Sequence, residues 1–323
     1  MPTAVITGIT GQDGSFLAEF LLTRGYRVIG VVRPDTPRQY NRLAAFRHEV
    51  HLVEVSLLDQ TRLRSTIEEY RPTEIYNFAA RASSSQLFNE PLLTSEFNGL
   101  AVVRLLELIR LVDPAIRFCQ ASSSEMFGNA AESPQNERTA FRPRNPYGIA
   151  KLFAHGMVGS YRTNHDIFAC SSILYNHESP RRGVEFVTRK ISRSVARIAA
   201  GLDSHLQLGD LDATRDWGYA ADYVRAMWLM LQASNPDDYV LATGISHSVR
   251  EFCEIAFRHV GLDYRDHVVE NPEARRPKDA AALVGDSHKA QKILKWSHSV
   301  TFKELVCMMV DADVWALKTE VNP

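Results

Sequence analysis

Residues 1–14 read MPTAVITGITGQDG and place three glycines directly after a short apolar segment. Residues 4–7, Ala-Val-Ile-Thr, are apolar and partly β-branched, which predicts one buried strand. Gly8, Gly11 and Gly14 follow, and residues 15–22, SFLAEFLL, continue with helical periodicity. A strand, a glycine turn and a helix together direct backbone N–H groups and the positive end of a helix dipole at a pyrophosphate. The stretch therefore predicts a nucleotide-binding turn.

The glycine spacing is G-x-x-G-x-x-G, one residue longer in its first gap than the common dinucleotide fingerprint. In such a turn the first glycine permits a tight bend, and the second lets the phosphates approach the backbone. The third lets the helix pack closely on the strand. Three glycines alone also occur in ordinary loops, so the flanking strand and helix decide the interpretation. We interpret the turn as a dinucleotide site in a doubly wound parallel sheet, an α/β fold of the Rossmann type.

The composition bounds the class of protein. The chain has 323 residues, enough for one large α/β domain and a smaller one, and its formal net charge of −1 gives no sign of nucleic-acid binding. No apolar run approaches the ~18 residues of a membrane span, and no secretion-signal pattern is visible. The sequence contains no C-x-x-C pair of the kind that would indicate a metal site. We expect a cytoplasmic protein whose cysteines are reduced and buried: Cys119, Cys170, Cys253 and Cys307.

The end of the second predicted strand indicates which dinucleotide binds. Residues 27–32, RVIGVV, form this strand, and Arg33 follows it. A doubly wound fold meets the adenosine ribose here, where an acidic residue would hold the 2′-hydroxyl of NAD. A guanidinium instead suits a 2′-phosphate, so Arg33, with Arg38 and Arg42 nearby, favours NADP. The alternative is that these arginines belong to a solvated basic loop. The acidic Asp35 nearby means that NAD stays a possible cofactor.

Strands and helices alternate along the rest of the chain. Further strands are predicted at residues 51–55, 72–80, 116–121 and 171–175, and helices at about 58–70, 93–111 and 216–231. The tail from about residue 246 is predicted to be helical, with an interruption at residues 272–277. We predict an NADP-binding domain from residues 1–175 plus about 216–244. A smaller α/β cap that binds the substrate would comprise about 176–215 plus 245–323.

Catalytic side chains are predicted where the fifth strand ends, because open α/β sheets bind ligands at the carboxyl ends of their strands. Residues 122–125, Ser-Ser-Ser-Glu, follow this strand directly. Tyr147 and Lys151 stand four residues apart and share one helix face. A lysine ammonium would lower the pKa of the phenol of Tyr147, which could then act as a general base. Alone, Y-x-x-x-K is a common surface pattern, but after a glycine turn and a serine-rich strand end it forms a specific set of acid–base residues.

Six segments carry a family resemblance, and they read GITGQDGSFLAEFLL (8–22), PTEIYNFAA (72–80), QASSSEMFG (120–128), NPYGIAKLFAH (145–155), NHESPRRGVEFVTRKISRSVARI (176–198) and RDWGYAADYVRAMWLMLQ (215–232). Through them nearly the whole chain resembles the extended short-chain dehydrogenase/reductase family, and within it the GDP-mannose 4,6-dehydratases. The resemblance implies conversion of a GDP-hexose, with GDP-mannose favoured, to GDP-4-keto-6-deoxyhexose through bound NADP. It also implies a homo-oligomer, either a dimer or a tetramer.

The resemblance further implies roles for individual residues. The catalytic residues would be Ser123, Glu125, Tyr147 and Lys151. NADP would be held by Gly8, Thr10, Gly11, Gln12, Asp13, Gly14, Arg33, Leu57, Ala79, Ala80, Tyr147, Lys151, His177 and Arg182. The nucleotide sugar would contact Asn176, Lys190, Arg215, Arg276 and Asp279. The basic residues between 181 and 197 would otherwise be read as a solvated helix face.

Several positions depart from the family pattern. Arg81 and Ala82 stand where the family has Gln and Ser, Ser56 replaces an Asp, and Ser123 replaces a Thr. Near residue 279 the family usually has a Glu, whereas this chain has an Asp. Arg81 adds charge and bulk beside the cofactor and the sugar, which predicts an altered acceptance of the sugar.

Two other functions stay open from the sequence. One is another nucleotide-sugar oxidoreductase, such as a 4-keto reductase or an epimerase, and the other is a non-catalytic NADP-binding module. Glu125 favours the dehydratase, because eliminating water next to a ketone needs a carboxyl group near the tyrosine. The alternative is that Glu125 is a structural carboxylate in a salt bridge at the end of the strand. The intact set of four catalytic residues argues against a non-catalytic module, and Arg81 is the one feature in its favour.

Overall fold

A parallel sheet forms the centre of the protein. The computed structural model describes residues 1–34, 40–82, 90–271 and 283–321. Its strands are β1 (Thr3–Thr7), β2 (Arg27–Val32), β3 (Val50–Glu54), β4 (Glu74–Asn77), β5 (Arg117–Ser123), β6 (Ala169–Leu174), β7 (Asn176–Glu178), β8 (Leu206–Leu208), β9 (Thr214–Tyr219), β10 (Asp238–Leu241), β11 (Ser246–Ser248) and β12 (Val268–Glu270). Within the described residues, seven strands pair in the order β10-β6-β5-β4-β1-β2-β3.

Helices connect these strands and cover the sheet. They are α1 (Gln12–Leu22), α2 (Gln60–Tyr70), α3 (Pro91–Ser95), α4 (Ala101–Val112), α5 (Pro146–His165), α6 (Val187–Ala199), α7 (Ala220–Gln232), α8 (Val249–His259), α9 (Tyr264–His267), α10 (His288–Leu294) and α11 (Phe302–Val321). A 3-10 segment, Asn41–Glu49, precedes β3, and a π-helical turn, Glu96–Leu100, joins α3 to α4. The helix predicted at 93–111 is thus one continuous helical stretch over residues 91–112 that contains this π-helical turn.

The strand order creates a switch point beside β1. Strand β1 pairs in parallel with β2 on one side and with β4 on the other, and all five of its residues are buried. Chain connections leave these two neighbours in opposite directions, so a crevice opens where β1 and β4 end. The Thr7 hydroxyl donates to Asn77 Oδ1 at 2.6 Å across this edge. The predicted doubly wound parallel sheet is confirmed.

Apolar side chains divide into clusters that explain this arrangement. One cluster packs α1 and α7 on one sheet face through residues such as Leu17 and Met227, and another packs α4 on the other face through Leu106. A further cluster lies among α6, α8 and α11, around Trp217 and Phe252. Burying such side chains contributes roughly 1.5–3 kcal/mol each. The sheet is therefore covered on both faces, and a separate apolar core packs beside it.

Two predictions about the second half of the chain are wrong. Residues 216–219 are strand rather than helix, because β9 pairs with β7 and β11 and the buried Asp216 carboxylate accepts hydrogen bonds from the N–H groups of Thr243 and Gly244, both at 2.9 Å. The tail is also not purely helical, since it contains β11 and β12. The predicted interruption at 272–277 lies outside the described residues.

The cysteines carry no disulfide bond among the described residues. All four cysteines are free thiols, of which Cys119, Cys170 and Cys253 are buried and Cys307 is partly buried. Among the helices of the described residues, none combines the length and the apolar character that crossing a bilayer requires. In the same part of the chain, no three His, Cys, Asp or Glu side chains are grouped in a way that could hold a metal ion.

Candidate active site

The turn between β1 and α1 leaves no room for a side chain at Gly8 or Gly14. Gly8 has a φ of +68°, and a Cβ there would lie 2.8 Å from the backbone nitrogen of Ala79. A Cβ on Gly14 would lie 2.4 Å from the carbonyl oxygen of Gly8. Gly11 donates its N–H to that same oxygen at 2.9 Å and begins α1 without a side-chain cap. Within the described residues, the first N–H groups of α1 therefore remain for an external acceptor, so the turn fits a dinucleotide pyrophosphate.

A cleft of about 620 Å³ opens at the carboxyl edge of the sheet. Residues that are far apart in the sequence meet in its lining. The predicted site residues among them are Asp13, Ala80, Ser123, Glu125, Tyr147, Lys151, Asn176, His177, Arg182 and Arg215. All four predicted catalytic residues thus face one cavity.

Tyr147 and Lys151 lie on successive turns of α5, close to the end of β5. The Lys151 ammonium donates to the carbonyl oxygen of Ala121 at 2.7 Å and lies 5.7 Å from the centre of the Tyr147 ring. Burial raises the pKa of Tyr147 to about 12, which the charge of Glu125 reinforces and the Ser123 hydroxyl opposes. Burial also lowers the pKa of Lys151 to about 8, against the attraction of Asp13. The pKa of Tyr147 is therefore raised rather than lowered as predicted, because desolvation outweighs the lowering by Ser123 and Arg182.

Ser123 and Glu125 lie at the end of β5, which extends two residues beyond its predicted end. The Ser123 hydroxyl accepts the N–H of Glu125 at 3.2 Å, which fixes the turn after the strand. The Glu125 carboxylate lines the cleft, and its Oε2 accepts a hydrogen bond from Asn145 Nδ2 at 2.9 Å. A carboxyl group is thus held beside Tyr147 by an amide.

A buried ion pair connects the glycine turn to β7. His177 Nε2 lies 2.9 Å from Asp13 Oδ2, and Gln12 donates to the His177 carbonyl at 3.0 Å. Burial acts to raise the pKa of Asp13, but the charge and hydrogen bond of His177 outweigh it and the pKa is lowered. Conversely, burial acts to lower the pKa of His177, and Asp13 raises it above its ordinary value. Both predicted cofactor residues therefore favour their charged forms.

The basic residues take different positions. Arg182 lines the cleft, where its Nε lies 3.1 Å from Glu178 Oε2 and its guanidinium lies 3.6 Å above the Phe186 ring. Arg215 also lines the cleft. Lys190, in contrast, is exposed, donates to the carbonyl of Gln207 at 2.6 Å and does not occur in the described lining.

The structure describes only some of the residues near the ends of β2 and β3 that are predicted to contact NADP. Arg33 is exposed at the end of β2. Arg42 reaches the glycine turn, where it donates to the carbonyls of Thr10 at 3.1 Å and of Arg181 at 2.6 Å. Leu57 directs its side chain into the apolar core. Four residues named above lie outside the described residues: Asp35, Arg38, Arg276 and Asp279.

Arg81 is paired rather than free. Its guanidinium forms an ion pair with Glu90, and its backbone exchanges two hydrogen bonds with the Asn98 side chain, at 2.8 and 2.9 Å. Its neighbours Ala80 and Ala82 line the cleft. The charge expected to disturb the sugar site is therefore balanced by a carboxylate.

Two side chains that organise the cleft are not among the predicted site residues. Asn145 holds Glu125, and its position directly before a proline and a helix is a recognisable N-cap signal. Glu178 lines the cleft, is buried and is held by the Thr188 hydroxyl and Arg182. Nothing in the local pattern of Glu178 signals this placement, because its partners come from the following loop and helix.

A glycine turn at the switch point and a Tyr–Lys pair on the helix after β5 define a Rossmann-type short-chain dehydrogenase/reductase. A family model described as GDP-mannose 4,6 dehydratase matches residues 5–309. GDP-mannose 4,6 dehydratase 1 of Arabidopsis thaliana is 45% identical over 98% of this chain and 91% of its own length. GDP-mannose 4,6 dehydratase of Cricetulus griseus is 45% identical over 99% of this chain and 93% of its own length. The chain therefore belongs to the GDP-mannose 4,6-dehydratase family.

A solved structure agrees with this fold. UDP-glucose 4-epimerase of Thermus thermophilus, in complex with NAD, superposes with a TM-score of 0.82 at 25% identity, covering 96% of this chain and 98% of that chain. The match extends over the sheet and over the region that follows it. The two proteins therefore share one architecture across nearly their whole length.

Proposed function

We propose that the protein converts GDP-mannose to GDP-4-keto-6-deoxymannose by removing one water, with Tyr147 and Glu125 as its acid–base groups. The observation that carries this proposal is a carboxyl group, Glu125, placed in the same cleft as the Tyr147–Lys151 pair. A plain reductase or epimerase has no comparable need for that carboxyl group. Family membership makes the chain a nucleotide-sugar dehydratase, and the cleft supplies side chains suited to each step.

The floor of the cleft suits a nicotinamide dinucleotide. The glycine turn would hold the pyrophosphate, the Asp13–His177 pair would lie beside the bound cofactor, and the small Ala80 lets it lie against the backbone. When bound, this cofactor supplies the redox chemistry, taking hydride from C4 of the hexose and returning it to C6. Residues 1–175 plus about 216–244 would form the cofactor-binding domain, and about 176–215 plus 245–323 the cap over the sugar nucleotide.

The first half of the reaction needs a base at the 4-hydroxyl. Tyr147 would take this proton as C4 is oxidised to the ketone, and Ser123 would donate a hydrogen bond to the same oxygen. Because burial raises the pKa of Tyr147 to about 12, the phenol needs a nearby positive charge before it can release its proton. Lys151 lies close enough to contribute such a charge while it is protonated.

The second half of the reaction uses Glu125. The 4-ketone acidifies C5, so the carboxylate removes the C5 proton and the C–H electron pair forms an enolate with the C4 oxygen. The enolate then expels the C6 oxygen, which receives the proton from Glu125 and leaves as water. Once hydride has returned to C6, C5 needs a proton, and the proton that Tyr147 took from the 4-hydroxyl would balance this step. Asn176 and Arg215 line the cleft and would bind the sugar nucleotide, whereas the predicted contacts Arg276 and Asp279 lie outside the described residues.

Two variants separate the two halves of the reaction. Tyr147→Phe should form no reduced cofactor and no product, because the first base is absent. Glu125→Gln should accumulate reduced cofactor and a 4-keto sugar that keeps its 6-hydroxyl, with turnover reduced by at least about a hundredfold. Single-turnover absorbance at the NADPH band, with mass spectrometry of the sugar nucleotide, measures both. Tyr161→Phe removes a hydroxyl from the same helix, where Tyr161 bonds to Glu107, and should leave both steps intact.

Undiminished water loss in Glu125→Gln would refute the dehydratase mechanism as written. If Glu125→Gln could not reduce its cofactor at all, Glu125 would act in the oxidation step. The plain reductase or epimerase would then become the better function, and turnover of external NADPH would identify it.

We also propose NADP as the preferred cofactor. Arg33 is exposed at the end of β2, and Arg42 lies at the glycine turn, so cations are available for a 2′-phosphate. A charge-assisted contact of this kind is worth ~1.5–3 kcal/mol, roughly ten- to a hundredfold in affinity. Calorimetry should find that NADP binds more tightly than NAD. The Arg33→Ser variant should show a smaller difference between these two affinities. Equal affinities of the parent protein for NADP and NAD would contradict the assignment.

The protein is further proposed to be a cytoplasmic homo-oligomer, a dimer or a tetramer. Large apolar side chains are exposed on the neighbouring helices α3 and α5, namely Leu92, Ile149 and Phe153. Exposed apolar groups that cluster on one surface favour association. Light scattering should give a mass well above the 36.4 kDa of one chain, and a value at the monomer mass would count against the proposal.

A further inference from the structure

Asn145 bonds in two directions at the start of the helix that carries Tyr147. Its Oδ1 accepts the N–H of Gly148 at 2.8 Å, which caps α5. Its Nδ2 donates to Oε2 of Glu125 at 2.9 Å. A backbone N–H can only donate, so the amide oxygen has to face Gly148 and the NH₂ group has to face Glu125. The orientation of the amide is therefore fixed by its two partners.

The same region is closely packed around Glu125. A Cβ on Gly148 would lie 2.5 Å from the carbonyl oxygen of Glu125, so only glycine allows the helix to approach this turn. The turn is also held from the other side, where the Ser123 hydroxyl accepts the N–H of Glu125. Asn145 itself is 4% exposed and absent from the described cleft lining, whereas Glu125 lines the cleft. Asn145 can therefore act on the substrate only indirectly, through Glu125 or through the helix that it caps.

We propose that Asn145 is a positioning residue, which holds Oε2 of Glu125 so that Oε1 exchanges the proton between C5 and the departing C6 oxygen. The inference rests on the proposed role of Glu125 in the elimination. In that step the C5–H bond breaks, its proton moves to the carboxylate, and the same proton leaves with the C6 hydroxyl as water. One amide thus connects the carboxyl group of the elimination to the helix that carries the base of the oxidation.

Asn145→Asp tests this role against a purely structural one. Asp caps a helix as well as Asn does, so a structural role predicts the behaviour of the parent enzyme. The positioning role predicts instead that a second carboxylate beside Oε2 removes the donor and repels Glu125. Oxidation at C4, followed as NADPH absorbance in a single turnover, should keep its rate. Water loss should slow about ten- to a hundredfold, with KM unchanged, so that reduced cofactor and the 4-keto sugar accumulate.

Asn145→Ser is the second variant, since serine keeps a capping oxygen but has no NH₂ group for Glu125. Its thermal unfolding should match that of the parent, and its elimination should lie between the parent and Asn145→Asp. If both variants eliminate water at the parent rate while Glu125→Gln does not, the positioning role is overturned and the proposed function stands. If Glu125→Gln also eliminates water normally, the proposed function has failed. Equal slowing of oxidation and elimination would assign Asn145 to the helix alone.

Discussion

Replacing Lys151 by methionine should stabilise the protein at neutral pH while it abolishes activity. The Lys151 side chain is 2% exposed, and burial lowers its pKa from an ordinary 10.5 to about 8, with Asp13 opposing the shift. A change of one unit in a pKa corresponds to about 1.36 kcal/mol, so this lowering of the pKa destabilises the folded state by about 3 kcal/mol at pH 7. Methionine is of similar length and carries no charge to desolvate.

One hydrogen bond partly offsets this gain. Lys151→Met loses the bond to the Ala121 carbonyl, worth about 1 kcal/mol, but that oxygen still accepts from Gln120 Nε2 at 2.8 Å. The net stabilisation at pH 7 should therefore be about 2 kcal/mol. Since the folded pKa lies below the unfolded one, the penalty in the parent is complete below about pH 8 and disappears as the pH rises towards 10.5. The advantage of the variant should thus be nearly gone near pH 9.5.

Urea unfolding of both proteins near pH 7 and near pH 9.5 measures this difference. Lys292→Met is the matched control, because Lys292 is exposed on α10 and its replacement should give no pH-dependent gap. A Lys151→Met protein less stable than its parent at pH 7 would refute the reasoning. So would a stability gap that is the same at both pH values.

Two further predictions concern the glycine turn and Arg81. Gly14→Ala should destabilise the fold by about 1–3 kcal/mol and weaken cofactor binding, because its Cβ would meet the Gly8 carbonyl, whereas Gly156→Ala, which faces open space, should be neutral or stabilising. Thermal unfolding and calorimetry would show this, and a Gly14→Ala protein matching its parent in both would contradict it. Arg81→Gln should leave the preference among nucleotide sugars unchanged, because Glu90 already balances the guanidinium. Mass spectrometry on a panel of these sugars would reveal any shift, which would mean that Arg81 reaches the substrate.

The fold class and the candidate reacting groups follow from the sequence alone. A buried β-branched strand, glycines whose added Cβ atoms would collide with backbone, and a following amphipathic helix permit few arrangements other than a dinucleotide turn. The Tyr147–Lys151 spacing likewise fixes both side chains on one helix face, because it depends only on local geometry. Such features are short-range, and they survive in any fold that keeps the element.

The tertiary structure alone decided the electrostatics and the boundaries set by distant partners. Residues 216–219 became a strand because β7 and β11 lie beside them, and Asp216 is buried among N–H groups that come from about thirty to seventy residues away. The pKa of Tyr147 rises because desolvation depends on everything packed around the ring, which no four-residue spacing reports. Arg81 and Asn145 take their roles from Glu90 and Glu125, partners that their neighbours in the sequence do not reveal. Local pattern thus indicates the candidate reacting groups of this protein, and long-range packing sets the charge and orientation of each of them.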